Sequence, residues 1–244
     1  TEADTGRIVV YELGVGERAA VTPTGAAGAL AVAPGGGEVG YSVMRSDTDS
    51  AVFVADAATG AAREITPGAG SAFPELRWKG PAWFIYAAFD GTSSSSMLVA
   101  PGATTARSVS PRMIDYGRET ASPTESAFVY SECSSGDGLS CPRQLVVEHV
   151  DGSDRRVITT ADRFAPIAYT ADGARILVHE LRGGAVRLVA RDVAGDGMID
   201  LGPSDPTLED RYPGAGLSRL SPDGSEVLAL LAGALLAVSG DGSG

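Results

Sequence analysis

The sequence has few of the residues on which most enzyme active sites and metal centres depend. Its 244 residues include only two histidines, two cysteines and a single lysine, Lys79. A Gly-x-Ser-x-Gly nucleophile elbow, a His-Glu-x-x-His zinc motif and a phosphate-binding glycine loop that opens a helix are all absent. His149 and His179 both fall within predicted strands, which disfavours a Ser-His-Asp triad. These absences favour a protein that is not an enzyme.

Basic residues and long apolar stretches are also scarce. Lys and Arg number 19 against 31 Asp and Glu, for a net charge of -12. Nucleic-acid binding depends on Lys and Arg that displace counterions, so we expect no nucleic-acid partner, and a cationic partner suits the charge better. The longest apolar stretch, Val227 to Val238, is far shorter than the ~20 residues of a membrane helix, so we expect no transmembrane segment.

The two cysteines, Cys133 and Cys141, bracket a polar loop of serine, glycine and aspartate. We expect a disulfide between them, with a pair of unrelated thiols as the alternative, because the loop lacks the four ligands of a structural zinc site. A disulfide predicts an oxidising, extracytoplasmic compartment. The chain opens at Thr1 without an initiator methionine, so we expect either that a signal or anchor segment has been removed or that this is an excised domain.

Glycine and proline are abundant by contrast, with 32 and 14 residues spread along the chain. Many short elements separated by turns follow from this composition, which favours an all-β fold. Strand endings of the Val-Thr-Pro type recur at steps of 44, 44, 49 and 43 residues. They include Thr22, Thr66, Ser110, Thr159 and Gly202. A repeat of this length is typical of propeller blades.

A second series of turns lies between these endings, and a short apolar strand follows each turn. The turns are predicted at 33–36, 78–80, 122–125, 170–173 and 221–224. The strands after them are predicted at 38–44, 82–88, 127–132, 175–181 and 226–231, since these segments are short and rich in strand formers. These are the second strands of the repeats. Together with a first, a third and a fourth strand, each repeat supplies a four-stranded antiparallel meander.

Two of these turns carry a family resemblance. Ser-Pro-Asp-Gly at 221–224 and Thr-Ala-Asp-Gly at 170–173 resemble the WD40-like repeat of TolB-like β-propellers. The resemblance covers nearly the whole chain and implies a β-propeller of four-stranded antiparallel blades. The same repeat is found in periplasmic scaffolds, in propellers of prolyl-oligopeptidase-like enzymes and in secreted proteins, so it implies the fold much more than the function. The repeats around Trp78 and Pro123 depart from the pattern.

The strand count predicts five blades in one domain over residues 1–244, with six blades as the alternative. The blades are expected at approximately 28–67, 71–111, 115–160, 163–203 and 213–238, the last completed by 7–22. Pairing of the N-terminal strands with the C-terminal blade would close the ring and remove exposed sheet edges. Such a ring buries its core without a partner, so we expect a monomer.

Aromatic residues recur in the loops that connect the fourth strand of one blade to the first strand of the next. The candidate ligand-binding residues of this channel mouth are Phe73, Asp115, Tyr116, Asp162, Arg163, Phe164, Asp210, Arg211 and Tyr212. A ring of aromatic and polar groups would suit a peptide or a sugar. The alternative is that the aromatic side chains pack between blades while each arginine pairs with a neighbouring aspartate.

Acidic residues occur in the loops between the second and third strands of the first three blades. These are Asp47, Asp49, Asp90, Glu132 and Asp137. A solvated acidic surface explains them, whereas convergence of the loops would create a site for calcium or for a basic segment of a partner.

A possible calcium loop lies at 192–200, which resembles the loops of dockerins. Asp192, Asp196 and Asp200 occupy its first, fifth and ninth positions, but Ala194 replaces one ligand and Pro203 replaces the closing acid. An ordinary hairpin turn is therefore the expectation, and calcium is the alternative.

These observations predict a non-enzymatic, extracytoplasmic β-propeller without a cofactor, which binds a protein, peptide or glycan of the cell envelope. The alternative is a carboxylate-based glycan hydrolase or lyase, or the propeller part of a prolyl-oligopeptidase-like enzyme that lacks its catalytic domain. Close buried carboxylates in the channel would favour the enzyme. Carboxylates paired to Arg163 and Arg211 would favour the scaffold.

Overall fold

The structure is a computed structural model, and it describes most of the chain. The described residues are 8–12, 16–21, 26–70, 76–79, 83–89, 94–100, 102–109, 120–135, 141–203, 219–220, 226–231 and 234–239. Within these ranges every regular element is a β-strand, which confirms the all-β prediction. A search of the same residues finds no helix with the length and apolar character needed to cross a membrane.

Two compact units, Thr1–Pro111 and Arg112–Gly244, divide the chain. The strands of the first unit are β1 (Ile8–Glu12), β2 (Gly16–Val21), β3 (Ala26–Val32), β4 (Glu38–Ser46), β5 (Asp49–Asp56), β6 (Ala62–Gly70), β7 (Leu76–Lys79), β8 (Trp83–Phe89), β9 (Ser94–Val99) and β10 (Arg107–Ser108). β1 pairs with β2, and β3 to β6 form an antiparallel meander. A parallel pairing between Gly70 and Phe89 joins this meander to β7–β10, and an isolated parallel bridge pairs Thr66 of β6 with Thr105.

The second unit contains two complete four-stranded meanders. Its strands are β11 (Thr120–Ala121), β12 (Ala127–Cys133), β13 (Arg143–His149), β14 (Arg156–Ala161), β15 (Arg163–Tyr169), β16 (Arg175–Arg182), β17 (Ala185–Asp192), β18 (Met198–Pro203), β19 (Arg219–Leu220), β20 (Glu226–Leu231) and β21 (Ala234–Ser239). We call β11–β14 the first sheet of this unit and β15–β18 the second sheet. β19–β21 form a separate three-stranded sheet.

The predicted second strands coincide closely with β4, β8, β12, β16 and β20, and the four-stranded meanders are those expected of propeller blades. The described pairings join β1 to β2 and β19 to β20 and β21. Ring closure, the number of blades and the blade boundaries stay predictions.

One predicted turn is wrong. Trp78 and Lys79 were expected in a turn, but both belong to β7, whereas Gly80 lies outside the described residues. Tryptophan is a strong strand former, and the indole of Trp78 packs against the core of the first unit. Its Nε1 donates a hydrogen bond to the carbonyl oxygen of Ala31 at 3.1 Å. Trp78 therefore links β7 to β3.

The core of the second unit lies between its first and second sheets. Val129 and Leu145 of the first sheet pack in one cluster with Phe164, Ile176 and Val178 of the second sheet. All seven residues of β12 are buried, including the polar Ser131 and Glu132, so this strand is covered on both faces. This packing fixes the two sheets against each other and defines the space at their edges.

Candidate ligand-binding cavity

The structure describes three of the nine candidate channel-mouth residues: Asp162, Arg163 and Phe164. Phe73, Asp115, Tyr116, Asp210, Arg211 and Tyr212 lie outside the described residues. Phe164 is 0% exposed and belongs to the core between the two sheets. This is the alternative stated above, in which the aromatic side chains pack between blades. The Asp162 carboxylate accepts a hydrogen bond from the N–H of Gly183 at 2.7 Å and so orders the turn after β16. A ligand-binding role for the nine residues stays a prediction.

The three candidate calcium ligands lie at the end of β17, in the turn after it and within β18. Asp192 pairs with Arg175 at 2.8 Å, Asp200 pairs with Arg187 at 2.6 Å, and Asp196 lies exposed in the turn. Among the described residues, no group of three or more His, Cys, Asp and Glu side chains is arranged to hold a metal ion. The arginine contacts suit a hairpin turn better than a calcium loop, and calcium binding stays a prediction.

The ion pair of Asp200 should make stability depend on pH. The Arg187 side chain, with a smaller contribution from the N–H of Gly202, holds the pKa of Asp200 below its usual range against the opposing effect of burial. A carboxyl whose pKa is lower in the folded state than in the unfolded state stabilises the fold at pH values above the unfolded pKa. This stabilisation is lost as the pH falls through the folded pKa. We expect Asp200→Asn to lower Tm by about 1–2 °C at neutral pH, and we expect this difference to shrink as the pH falls below 3.8, the ordinary pKa of aspartate.

Thermal denaturation between about pH 2.5 and pH 7 measures this difference. Asp196→Asn is the matched control, because Asp196 is an exposed carboxylate in the turn just before β18, the strand that contains Asp200. A constant difference between wild type and Asp200→Asn across the range would contradict the prediction.

Arg155 compensates two buried carboxylates in the first sheet. Glu132 was expected both at the end of a strand and in an acidic loop. It lies in β12 on the same face as Tyr130, and its side chain is 0% exposed. Arg155 forms an ion pair with Glu132 and approaches Glu148 at 3.9 Å. The hydroxyl of Tyr130 donates to Glu148 at 2.8 Å, and burial followed by the Glu148 carboxylate raises the pKa of this tyrosine well above its usual range.

A third buried carboxylate, Glu180, is held in the second sheet. Arg182 donates to its Oε1 at 2.8 Å, and Arg191 donates to its Oε2 at 2.6 Å. A buried charge is tolerated when charge-assisted hydrogen bonds compensate it. Arg155, Arg182 and Arg191 thus pair with buried carboxylates. Sequence reasoning nominated Arg163 and Arg211 and missed these three.

A cavity of about 1140 Å³ lies between the first and second sheets of the second unit. The turns before β12 and before β14 line one side of it, and the turns after β15 and after β17 line the other. Successive turns of a meander emerge at opposite edges of a sheet, so the cavity lies at the edge away from the loop that holds Asp162. The predicted channel-mouth loop with Asp162 and the cavity thus lie at opposite edges of these two sheets.

The two turns that meet at the cavity contact each other through a glycine. Gly173 has a left-handed φ of +72°, and a Cβ at this position would lie 2.4 Å from Oγ1 of Thr124. The carboxylate of Asp172 accepts hydrogen bonds from the Thr170 hydroxyl at 2.6 Å and from the N–H of Ala174 at 2.9 Å. The Thr170 contact is the main reason that the pKa of Asp172 is lowered. Hydrogen bonds thus hold this turn, and it packs closely against the turn that contains Thr124.

Tyr169 ends β15 and lines the cavity. Its side chain is almost fully buried, and its hydroxyl has no hydrogen-bond partner among the described residues. Burial, with a further contribution from Glu125 and an opposing one from Arg156, raises the pKa of this hydroxyl, so it stays protonated. A buried hydroxyl without a partner costs about 1–3 kcal/mol, which makes it an unusual feature of a native core.

Comparison with known proteins gives the fold. No protein-family model matches the chain, and no curated protein sequence matches it. TolB from Acinetobacter baumannii is 14% identical over 91% of this chain and 54% of its own, with a TM-score of 0.55. A putative TolB from Agrobacterium tumefaciens is 15% identical over 90% of this chain and 73% of its own, with a TM-score of 0.51.

A third similar structure is the β-propeller domain of the Trilobed protease from Pyrococcus furiosus. It is 14% identical over 98% of this chain and 79% of its own, with a TM-score of 0.57. The fold is therefore that of a TolB-like β-propeller. The chain spans about half the length of the TolB structure from Acinetobacter baumannii.

Proposed function

We propose that this chain is a non-enzymatic β-propeller binding module that takes a protein, peptide or glycan ligand of the cell envelope in the cavity of its second unit. The observation that carries the proposal is the cavity itself, which is lined by turns of two neighbouring sheets. Its volume of about 1140 Å³ exceeds that of most small-molecule pockets, which occupy roughly 300–1,000 Å³. A segment of a peptide or a glycan suits this volume.

The buried carboxylates support a binding module over a hydrolase. Glu132, Glu148 and Glu180 each contact an arginine. A glycoside hydrolase needs one carboxyl group that gives a proton to the leaving oxygen and a second that acts as base or nucleophile. Carboxylates held by guanidinium groups are poor candidates for either role.

The disulfide supports an extracytoplasmic location. Cys133 and Cys141 are bonded, which confirms the predicted pairing. Disulfides persist in oxidising compartments and are rare in reducing ones. We therefore propose that the module works outside the cytoplasm.

A second candidate role is that of the propeller part of a peptidase. The observation that favours it is the likeness of the Trilobed protease propeller, which covers 98% of this chain. In that role the chain would admit or hold substrate for a catalytic domain elsewhere. The same cavity would then receive a peptide.

Blocking the cavity tests the binding role. Gly195 lines the cavity, its backbone is not left-handed, and a Cβ there would meet nothing within 4 Å, so Gly195→Trp adds bulk without backbone strain. Gly35→Trp is the matched control, because Gly35 has the same open surroundings and does not line the cavity. On an array of peptides and envelope glycans, we expect wild type and Gly35→Trp to bind the same members. Gly195→Trp should bind them at least about tenfold more weakly.

Equal binding by all three proteins would contradict a ligand site in this cavity. Mass spectrometry of the array ligands after incubation separates binding from catalysis. Intact ligands support the binding module, whereas cleaved products would overturn its non-enzymatic character.

A further inference from the structure

The disulfide of the first sheet lies beside a buried guanidinium group. We propose that Cys133–Cys141 is a reversible thiol-exchange site, in which a low-molecular-weight thiol attacks the sulfur of Cys141 and Cys133 leaves as a thiolate that Arg143 stabilises. Three observations support this step: the unequal exposure of the two cysteines, the contact of Arg143 with Cys133, and the backbone pairing around the bond. The site lies apart from the cavity, because none of these three residues is among the described residues that line it.

The two cysteines differ in exposure. Cys133 is 0% exposed at the end of β12, whereas Cys141 is partly exposed and precedes the exposed Pro142. A thiolate attacks a disulfide in line with the S–S bond, so access behind the attacked sulfur decides which of the two sulfurs reacts. An incoming thiol therefore has easier access to Cys141, and the sulfur of Cys133 becomes the leaving group.

Arg143 lies where it can stabilise that leaving group. It is 2% exposed, and its Nη1 donates a hydrogen bond to Sγ of Cys133 at 3.4 Å. The two residues are cross-strand partners in β12 and β13, so the register of the sheet holds the guanidinium beside the sulfur. A disulfide sulfur is a weak acceptor, whereas a thiolate carries a full negative charge, so this contact strengthens as the S–S bond breaks. An interaction that is stronger in the transition state than in the ground state accelerates the step.

Backbone hydrogen bonds hold β12 and β13 together independently of the disulfide. Seven residue pairs join the two strands, and the last of them is Cys133 with Arg143. Beyond this pair, the N–H of Ser134 donates to the carbonyl oxygen of Pro142 at 2.8 Å. Cys133 and Arg143 therefore stay paired when the bond opens. From this position the Cys133 thiolate can attack the mixed disulfide at Cys141 and restore the original bond.

The exchange balances in two steps. In the first step, the thiolate of the small molecule forms a bond to the sulfur of Cys141, and the electron pair of the S–S bond goes to the sulfur of Cys133. In the second step, another thiolate attacks the sulfur of the attached small molecule and releases Cys141 as a thiolate, which takes a proton from water. The small molecule leaves as its own disulfide, so two electrons pass from two thiols to the protein.

Reaction of the full chain with excess reduced glutathione tests which sulfur is attacked. Early samples are quenched with acid, unfolded and labelled with N-ethylmaleimide, and tandem mass spectrometry then locates the two groups. We expect glutathione on Cys141 and maleimide on Cys133. Glutathione mainly on Cys133, or a disulfide that excess glutathione neither thiolates nor reduces, would overturn the proposal. This measurement uses the wild type and so does not depend on the folding of a variant.

Arg143→Gln tests the role of the guanidinium. We expect it to slow the first step with glutathione about fivefold or more, because the leaving thiolate loses its positive partner. Arg143→Lys keeps a positive charge and should react within about threefold of the wild-type rate. Val147→Ala is the matched control, since Val147 is a buried residue of the same strand and carries no charge. Its loss of packing loosens β13, so its disulfide should react at the wild-type rate or faster. An Arg143 with only a structural role would behave like this control, and an Arg143→Gln rate equal to or above that of wild type would overturn the proposal.

Discussion

Phe164→Ala should lower the free energy of unfolding by about 3–5 kcal/mol. Phe164 is fully buried and packs with Val129 and Leu145 across the space between the first and second sheets of the second unit. Truncation removes the apolar contacts of the ring and leaves a cavity, because strands from two sheets cannot both move inward to fill it. Denaturation in urea measures the change as a shift of the midpoint.

Val157→Ala is the control for this variant. Val157 is 43% exposed, so its truncation should cost less than about 0.5 kcal/mol. If Phe164→Ala were as mild as this control, the ring would not be a core residue. The prediction that it contacts a ligand at the channel mouth would then regain support.

The strands and the disulfide were predictable because local chemistry determines them. Short β-branched and aromatic runs after Pro-Gly or Asp-Gly turns favour strands wherever they occur, and β20 (Glu226–Leu231) has the predicted bounds. Cys133 and Cys141 are close in sequence and flank a polar loop, so their pairing needed no knowledge of the tertiary structure. Trp78 shows the limit, since its place in β7 depends on a contact with Ala31 far along the chain.

The candidate site was less predictable because distant residues create it. Arg155 lies 23 residues from its buried partner Glu132, and no local motif marks the pair. Gly173 was recognised as part of a repeat, but its role in bringing one turn against Thr124 of the neighbouring sheet depends on how two sheets pack. The cavity arises from that packing. The hydroxyl of Tyr169 has no hydrogen-bond partner among the described residues, and nothing in the sequence indicates this.

Replacement of both cysteines by alanine should lower the free energy of unfolding by about 2–3 kcal/mol. Cys133 ends β12, Cys141 precedes β13, and the bond closes a loop with a sequence separation of 8. The cross-link limits the conformations of the unfolded chain and holds the ends of two paired strands together, so its loss favours the unfolded state. Urea denaturation of the Cys133→Ala/Cys141→Ala protein against the oxidised wild type measures the cost.

Reduced wild type is the control that separates the bond from the side chains. Cys133 is fully buried, so alanine at this position also removes packing, whereas reduction with dithiothreitol removes only the bond. Reduction should lower the Tm of wild type and leave the Tm of the double variant unchanged. A wild type whose stability does not respond to reduction would contradict a stabilising disulfide and remove the main support for an oxidising compartment. A loss of about 2 kcal/mol on reduction would mean that the same chain is markedly less stable in the cytoplasm than outside it.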